Sequence, residues 1–310
     1  MDLKQMRYFL ALAQERNFGR AAQRLHMAQP PLTRSIQALE DRLGVSLLTR
    51  TKQGTELTPA GNVLMEGIPK ILQLVRQLEE QTKLAGEGRI GRIDVGMFSS
   101  GILNVIPQLL ADFHAQRPAV QIGLHNMSKS EQLAALREKR IDIGFNRFLP
   151  QDEDIAVEPV LRESFLVALH ESHPLCEQDT ICIRDLDDQP MIVYPNLSMH
   201  GLAQEVAQAF REEDSKLRIE QGVEDVVTSI ALVASGFGLC ITTESAANLH
   251  LPGVVYRPLN SARLRDIELS CLYRRDNASP VLQAFLEVVR RFAPKYQPTQ
   301  PPQPAAAPGD

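Results

Sequence analysis

Apolar side chains return at helical steps through residues 21–44. Ala21, Ala22 and Leu25 make one short stripe, and Leu32, Ile36, Leu39 and Leu43 make another at steps of four, three and four. Between the stripes stands Gln29-Pro30-Pro31. Proline cannot continue the first helix but suits the first turn of the second, and Gly44 marks the end of that one, so the pattern predicts helix, tight turn, helix. Two strand-like runs within residues 47–58, joined through Lys52-Gln53-Gly54, predict a hairpin, a wing beside that unit. Thr58-Pro59 then opens a long helix. In it Leu64, Ile68, Ile71, Val75, Leu78, Thr82 and Ala85 alternate at steps of four and three, a heptad seam that needs a partner. Gly67 and Pro69 lie inside the seam and predict a kink, and "AGEGRIGR" at 85–92 predicts a hinge.

From residue 92 the period changes. Strand-like runs ("RIDVGMF", "VQIGLHNM", "IDIGF") alternate with helical ones ("ILNVIPQLLADFHAQRP", "EQLAALREKR"), and a second round follows with "SFLVALH", "PMIVYP", "GLAQEVAQAFREED", "LRIEQGVED", "VVTSIALVASG" and "GLCITT". Such alternation predicts a largely parallel sheet covered on both faces, here in two similar lobes with a cleft between them. The expected fold class is therefore α/β. It comprises an N-terminal winged helix-turn-helix (1–58), a linker or dimerisation helix with its hinge (59–91) and a bilobed α/β domain (92–295). Lobe I takes about 92–161 and 267–295, lobe II about 162–266, and the Pro- and Ala-rich tail 296–310 is too poor in apolar bulk to pack.

Composition limits the function classes. The chain has 310 residues, 44% hydrophobic and 23% charged, enough to bury more than one core. Its net charge is −5, but residues 1–60 hold nine Lys and Arg against five Asp and Glu, a head of +4 on a body of −9. That asymmetry suits a head that binds a polyanion. The first residues break their apolar positions with charges, unlike a secretion signal, and the most apolar run, 226–243, contains Thr, Ser and two glycines. A cytoplasmic protein without a membrane partner is expected. Cys176, Cys182, Cys240 and Cys271 form no Cys-x-x-Cys pair and read as reduced core cysteines. His170 and His173 lack further ligands or a nucleophile, and no P-loop, dinucleotide fingerprint or nucleophile elbow occurs. No metal, cofactor or catalytic activity is expected.

The candidate chemistry is recognition. The second helix presents Gln29, Thr33, Arg34 and Gln37 away from its apolar stripe, side chains able to bond base edges in a major groove, while Arg50 and Lys52 on the hairpin suit phosphates. In the body, Ser99-Ser100-Gly101 and Ser128-Lys129-Ser130-Glu131 each end a strand and start a helix. Helix N-termini at the carboxyl ends of strands favour an anion, to which Asn146 and Arg147 add a donor and a charge. The same serines also serve as ordinary helix caps.

The stretch "AAQRLHMAQPPLTRSIQALEDRLGVSLLTRTKQGTELTPAG" resembles the N-terminal winged helix-turn-helix of LysR-type transcriptional regulators nearly position for position. The resemblance implies base contacts from Gln29, Pro30, Thr33 and Arg34 and backbone contacts from Arg50 and Lys52. It further implies a linker helix that dimerises, and a body like the effector-binding domain of that family, related in fold to type 2 periplasmic binding proteins. "MRYFLALAQERNF", "AQPPLTR", "MSKSEQ", "IDIGFNRF" and "SHPL" look like the branch that controls aromatic and chloroaromatic catabolism, whose members sense muconate or related anions between the lobes. Carried over, Ser99 matches a ligand-contacting serine, Ser128 lies at or beside a ligand-contacting threonine, and lobe II contacts fall near Asn196, Ser198 and Val226. The segment "NLSMHGLAQEV" departs from the Pro-rich polar loop of muconate sensors. The partners implied are double-stranded promoter DNA, a small anionic effector, further copies of the chain as a homodimer or homotetramer, and RNA polymerase.

Overall fold

The computed structural model describes residues 1–51, 54–98, 101, 103, 105–150, 152–194 and 201–292. They divide into two compact units, Met1–Leu84 and the chain from Ala85 on.

In the first unit, helix α1 (Leu3–Glu15) begins with a capping box between Asp2 and Gln5, and α2 (Phe18–Arg24) begins on Asn17. Helix α3 (Gln29–Leu43) has no side-chain cap. Instead Pro30 and Pro31 stand in its first turn, where amide donors have no helical partner to lose, and Gly44 ends it at φ 69°. Phe9, Leu12, Ala21, Ala22, Leu32, Ile36 and Leu39 close the core, while Leu43, last of its stripe, remains 40% exposed. Strands β1 (Leu48–Thr51) and β2 (Gly54–Leu57) form the antiparallel wing. It is fixed to α1 by Thr55 N donating to Arg16 O at 3.0 Å. Gly54 makes this approach possible, because a Cβ there would sit 2.5 Å from that carbonyl oxygen.

Helix α4 (Pro59–Gly86) starts on the Thr58 hydroxyl, which accepts from Gly61 N, and runs 28 residues through Gly67 and Pro69 without interruption. The single seam expected of it is divided between two tasks. Of the seam, Ile68 is fully buried in the head and Leu64 partly so, whereas Leu78 remains 62% exposed, as does the off-seam Leu74 one turn before it at 66%.

The second unit starts with β3 (Gly91–Met97), α5 (Val105–Gln116), β4 (Val120–Asn126), α6 (Lys129–Arg137) and β5 (Ile143–Asn146). Strand β6 (Ile155–His170) follows, then β7 (Ile181–Cys182), β8 (Pro190–Val193), α7 (Leu202–Glu212), β9 (Arg218–Gly222), α8 (Val226–Ala234) and β10 (Cys240–Thr243). Strands β11 (Val254–Asn260) and β12 (Asp266–Arg274) and helix α9 (Pro280–Phe292) close it. The main sheet runs β4-β3-β5-β12-β6-β11-β7 with β10 also on β6, and β8 pairs with β9 in parallel. Within it β3, β4 and β5 are parallel, but β12 is antiparallel to β5 and β6. This departs from the largely parallel expectation for a topological reason: a chain that leaves lobe I and later returns crosses the boundary in opposite senses. Strand β6 makes the crossing, its first part pairing with β12 in lobe I and its last with β10 and β11 in lobe II. Each lobe has its own core. Phe113, Phe145 and Phe285 meet edge to face in the first, and Phe165, Phe210 and Ile230 lie in the second.

Candidate functional site

On α3 the heptad logic separates two faces. Leu32, Ile36 and Leu39 are at most 2% exposed, and Gln29, Pro30, Arg34 and Gln37 stand in solvent. Thr33 lies between, its hydroxyl donating to Gln29 O at 3.2 Å. Arg50, on β1, is exposed and lies over the Phe18 ring with 6.0 Å to its centroid, so its guanidinium is held at one edge of the unit. Lys52 lies outside the described residues. Arg24 and Arg20 turn toward Glu15 on α1, whereas the α3 face carries exposed Arg34 with the amides of Gln29 and Gln37 and the wing carries Arg50. Such a face offers donors and acceptors to base edges, and its cations offer themselves to phosphate.

In the second unit, the chain just past β5 meets lobe II through Arg147 and Phe148. Ser99 and Ser100 lie outside the described residues, as do Asn196 and Ser198. Ser128 caps α6: its hydroxyl accepts from Glu131 N at 3.4 Å and donates to the Glu131 carboxylate at 2.7 Å, while Ser128 N donates to the same carboxylate at 2.8 Å. Those bonds hold Glu131 below the usual carboxylate range. Lys129, the next residue, is only 8% exposed. Its Nζ donates to Phe148 O at 3.0 Å and stands 5.7 Å from the centroid of the Phe148 ring, and burial brings the ammonium down to about 8.

Asn146 and Arg147 are likewise buried. Asn146 Oδ1 accepts from Arg147 N at 2.9 Å, which turns the chain so that the Arg147 guanidinium reaches the lobe boundary over the Phe98 ring. There it pairs with the Glu163 carboxylate of β6 and donates through Nη1 to Thr243 Oγ1 at 3.2 Å. Glu163 Oε1 in turn accepts from Ser245 N at 2.8 Å. The charge that the sequence offered to an anion is thus already paired, and the buried pair is neutral as a whole. Beside it, Tyr194 is bonded to Thr242, and burial pushes its hydroxyl well above the ordinary tyrosine range. Val226 opens α8, and its side chain is fully buried in the lobe II core. Asp225 caps that helix by accepting from Thr228 N at 2.9 Å.

Glu163, Thr243, Ser245 and Phe148 were not singled out from the sequence. Glu163 gave one usable signal, an isolated acid in the strand-like run "VLRESFLVALH", though not the identity of its partner. The histidines serve their own loop: His170 Nδ1 lies 2.8 Å from Ser172 Oγ, and His173 Nδ1 accepts from Leu175 N. His200 lies outside the described residues. Among the described residues no cluster of His, Cys, Asp and Glu is arranged to hold a metal ion, and no helix is long and apolar enough to cross a membrane.

Comparison with known proteins places both units. Residues 3–62 match the family described as bacterial regulatory helix-turn-helix protein, lysR family, and residues 86–294 match the LysR substrate binding domain. The chain is 37% identical over 293 residues to the HTH-type transcriptional regulator TdfR of Cupriavidus pinatubonensis, covering 94% of this chain and 98% of that protein. It is 35% identical over 289 residues to the HTH-type transcriptional regulator ClcR of Pseudomonas putida, with 93% and 98% covered. Among solved structures, full-length CbnR complexed with its target DNA matches at a TM-score of 0.85 and 33% identity, over 94% of this chain and 100% of that one.

Proposed function

The chain belongs to the LysR family of bacterial transcriptional regulators, and from that premise we propose that it binds promoter DNA through the exposed face of α3 while its second unit senses a small anion at the lobe boundary. It acts in the cytoplasm as a homodimer or as a tetramer of two dimers, each pair of heads reading two half-sites. The effector is a carboxylate, with muconate-like products of aromatic degradation first among those to try. Its binding alters the lobe arrangement, and through that the spacing of DNA-bound heads and their contact with RNA polymerase. The protein is a regulator and carries out no reaction on its ligand.

One observation carries the DNA reading: α3 buries Leu32, Ile36 and Leu39 and leaves Gln29, Arg34 and Gln37 in solvent on a basic head. Arg34→Ala is expected to cost roughly 1–3 kcal/mol on the cognate promoter and to relax base preference. Binding curves on promoter and random duplexes test this. Equal losses on both would reduce Arg34 to a phosphate contact. The effector reading is tested by thermal stability against a panel of benzoate, cis,cis-muconate and chloromuconates, since a ligand bound by the folded state alone stabilises it in proportion to RT ln(1 + [L]/Kd).

A further inference from the structure

Residue 148 has a backbone that its side chain does not favour. Phe148 sits at φ 52°, a left-handed conformation uncommon for a bulky residue, so its surroundings must impose it. Lys129 is in position to contribute, for its ammonium bonds the Phe148 carbonyl at 3.0 Å and lies over its ring. That ring belongs by sequence to lobe I but packs against the lobe II core. The residue before it, Arg147, ties the same turn to Glu163 and Thr243. Lys129 is also the first residue of α6, immediately after Ser128, at the helix end that favours an anion.

We propose that Lys129 is a positioning residue that links occupancy of the cleft to the join between the lobes: its ammonium holds the Phe148 turn against lobe II, and a carboxylate arriving at the start of α6 draws the ammonium away. The inference rests on the anion-sensing reading above. An ammonium bonds a carboxylate more strongly than a neutral amide carbonyl, so a carboxylate within reach takes the better bond. The neighbouring charges do not compete for this role, because Arg147 is paired with Glu163 and Glu131 is held by Ser128. Once released, the Phe148 backbone is free to leave the left-handed region and withdraw its ring from lobe II.

The chain contains no tryptophan, so Phe148→Trp provides a single reporter at this turn. In the full-length chain carrying that substitution, cis,cis-muconate is titrated while tryptophan emission and thermal stability are both followed, with Lys129, Lys129→Arg and Lys129→Met compared. The expected result is an emission shift that accompanies ligand-induced stabilisation in the Lys129 and Lys129→Arg chains and is lost in Lys129→Met, whose ligand-free emission already matches the bound state. Stabilisation without an emission shift, or a shift kept in full by Lys129→Met, overturns the link and leaves the sensing reading standing. If muconate stabilises none of the chains, that effector fails. The positioning role is then decided without ligand: identical emission from Lys129→Met and the Lys129 chain refutes it, and a difference restored by Lys129→Arg supports it.

Discussion

At the scale of single residues, the body of this regulator carries a charge whose state depends on burial. Lys129 titrates near 8 in the folded chain against an ordinary 10.5, since desolvation disfavours its ammonium. Between those two values the unfolded chain holds the proton that the folded chain has lost, so this group makes stability rise with pH across that window, and below it the desolvation cost is present in full. Other groups oppose the rise. Burial pushes the Cys240 and Cys271 thiols from 9.0 up to about 12, and they lower stability above pH 9 because only the unfolded chain then gives up those protons. A comparison with Lys129→Met removes these shared contributions. The stability of the Lys129 chain relative to that variant should climb from pH 8 toward 10.5 in denaturant melts, and a flat difference would mean that the ammonium is as well solvated folded as unfolded.

At the scale of elements, what could be read in the sequence was whatever the chain decides locally. Pro30 and Pro31 in the first turn of α3, Gly44 at its end, the Ser128–Glu131 capping box and the Thr58 start of α4 each depend on side chains within a few residues, and each stands where the spacing put it. The Arg147–Glu163–Ser245 connection did not show, because its partners lie 16 and 82 residues apart and only the crossing of β6 between the lobes unites them. Helix α4 falls between these cases. Its heptad period was legible, but the period alone could not tell that Ile68 closes the head, which leaves the later turns to find a partner. Leu74 and Leu78 are the test of that remainder. Leu74→Glu with Leu78→Glu puts like charges where two copies would meet, and should convert the oligomer to monomers in light scattering while the melting of each unit is retained. Persistence of the oligomer would move the self-association surface off this helix.

At the scale of the whole molecule, the charge is distributed against the net value. A chain of −5 should be repelled by DNA if it acted as one body, but its first 60 residues carry +4, and over the short screening distance at physiological salt only the charges near the phosphates count. Affinity should therefore fall with added salt, with a log–log slope of about −0.9 for each phosphate neutralised, in spite of the acidic body. Arg50→Ala, which removes an exposed cation from the wing, should reduce the slope by roughly one per protomer and weaken promoter and random duplexes alike, unlike Arg34→Ala. The effector leaves this phosphate contribution unchanged if it acts through the spacing of heads, since a ligand shifts an equilibrium only by its difference in affinity between the two states. Saturating effector should thus change affinity on paired half-sites and leave a single half-site unaffected at every salt concentration. An equal change on both would mean that the ligand acts on the head itself, and the lobe boundary would lose its part in the response.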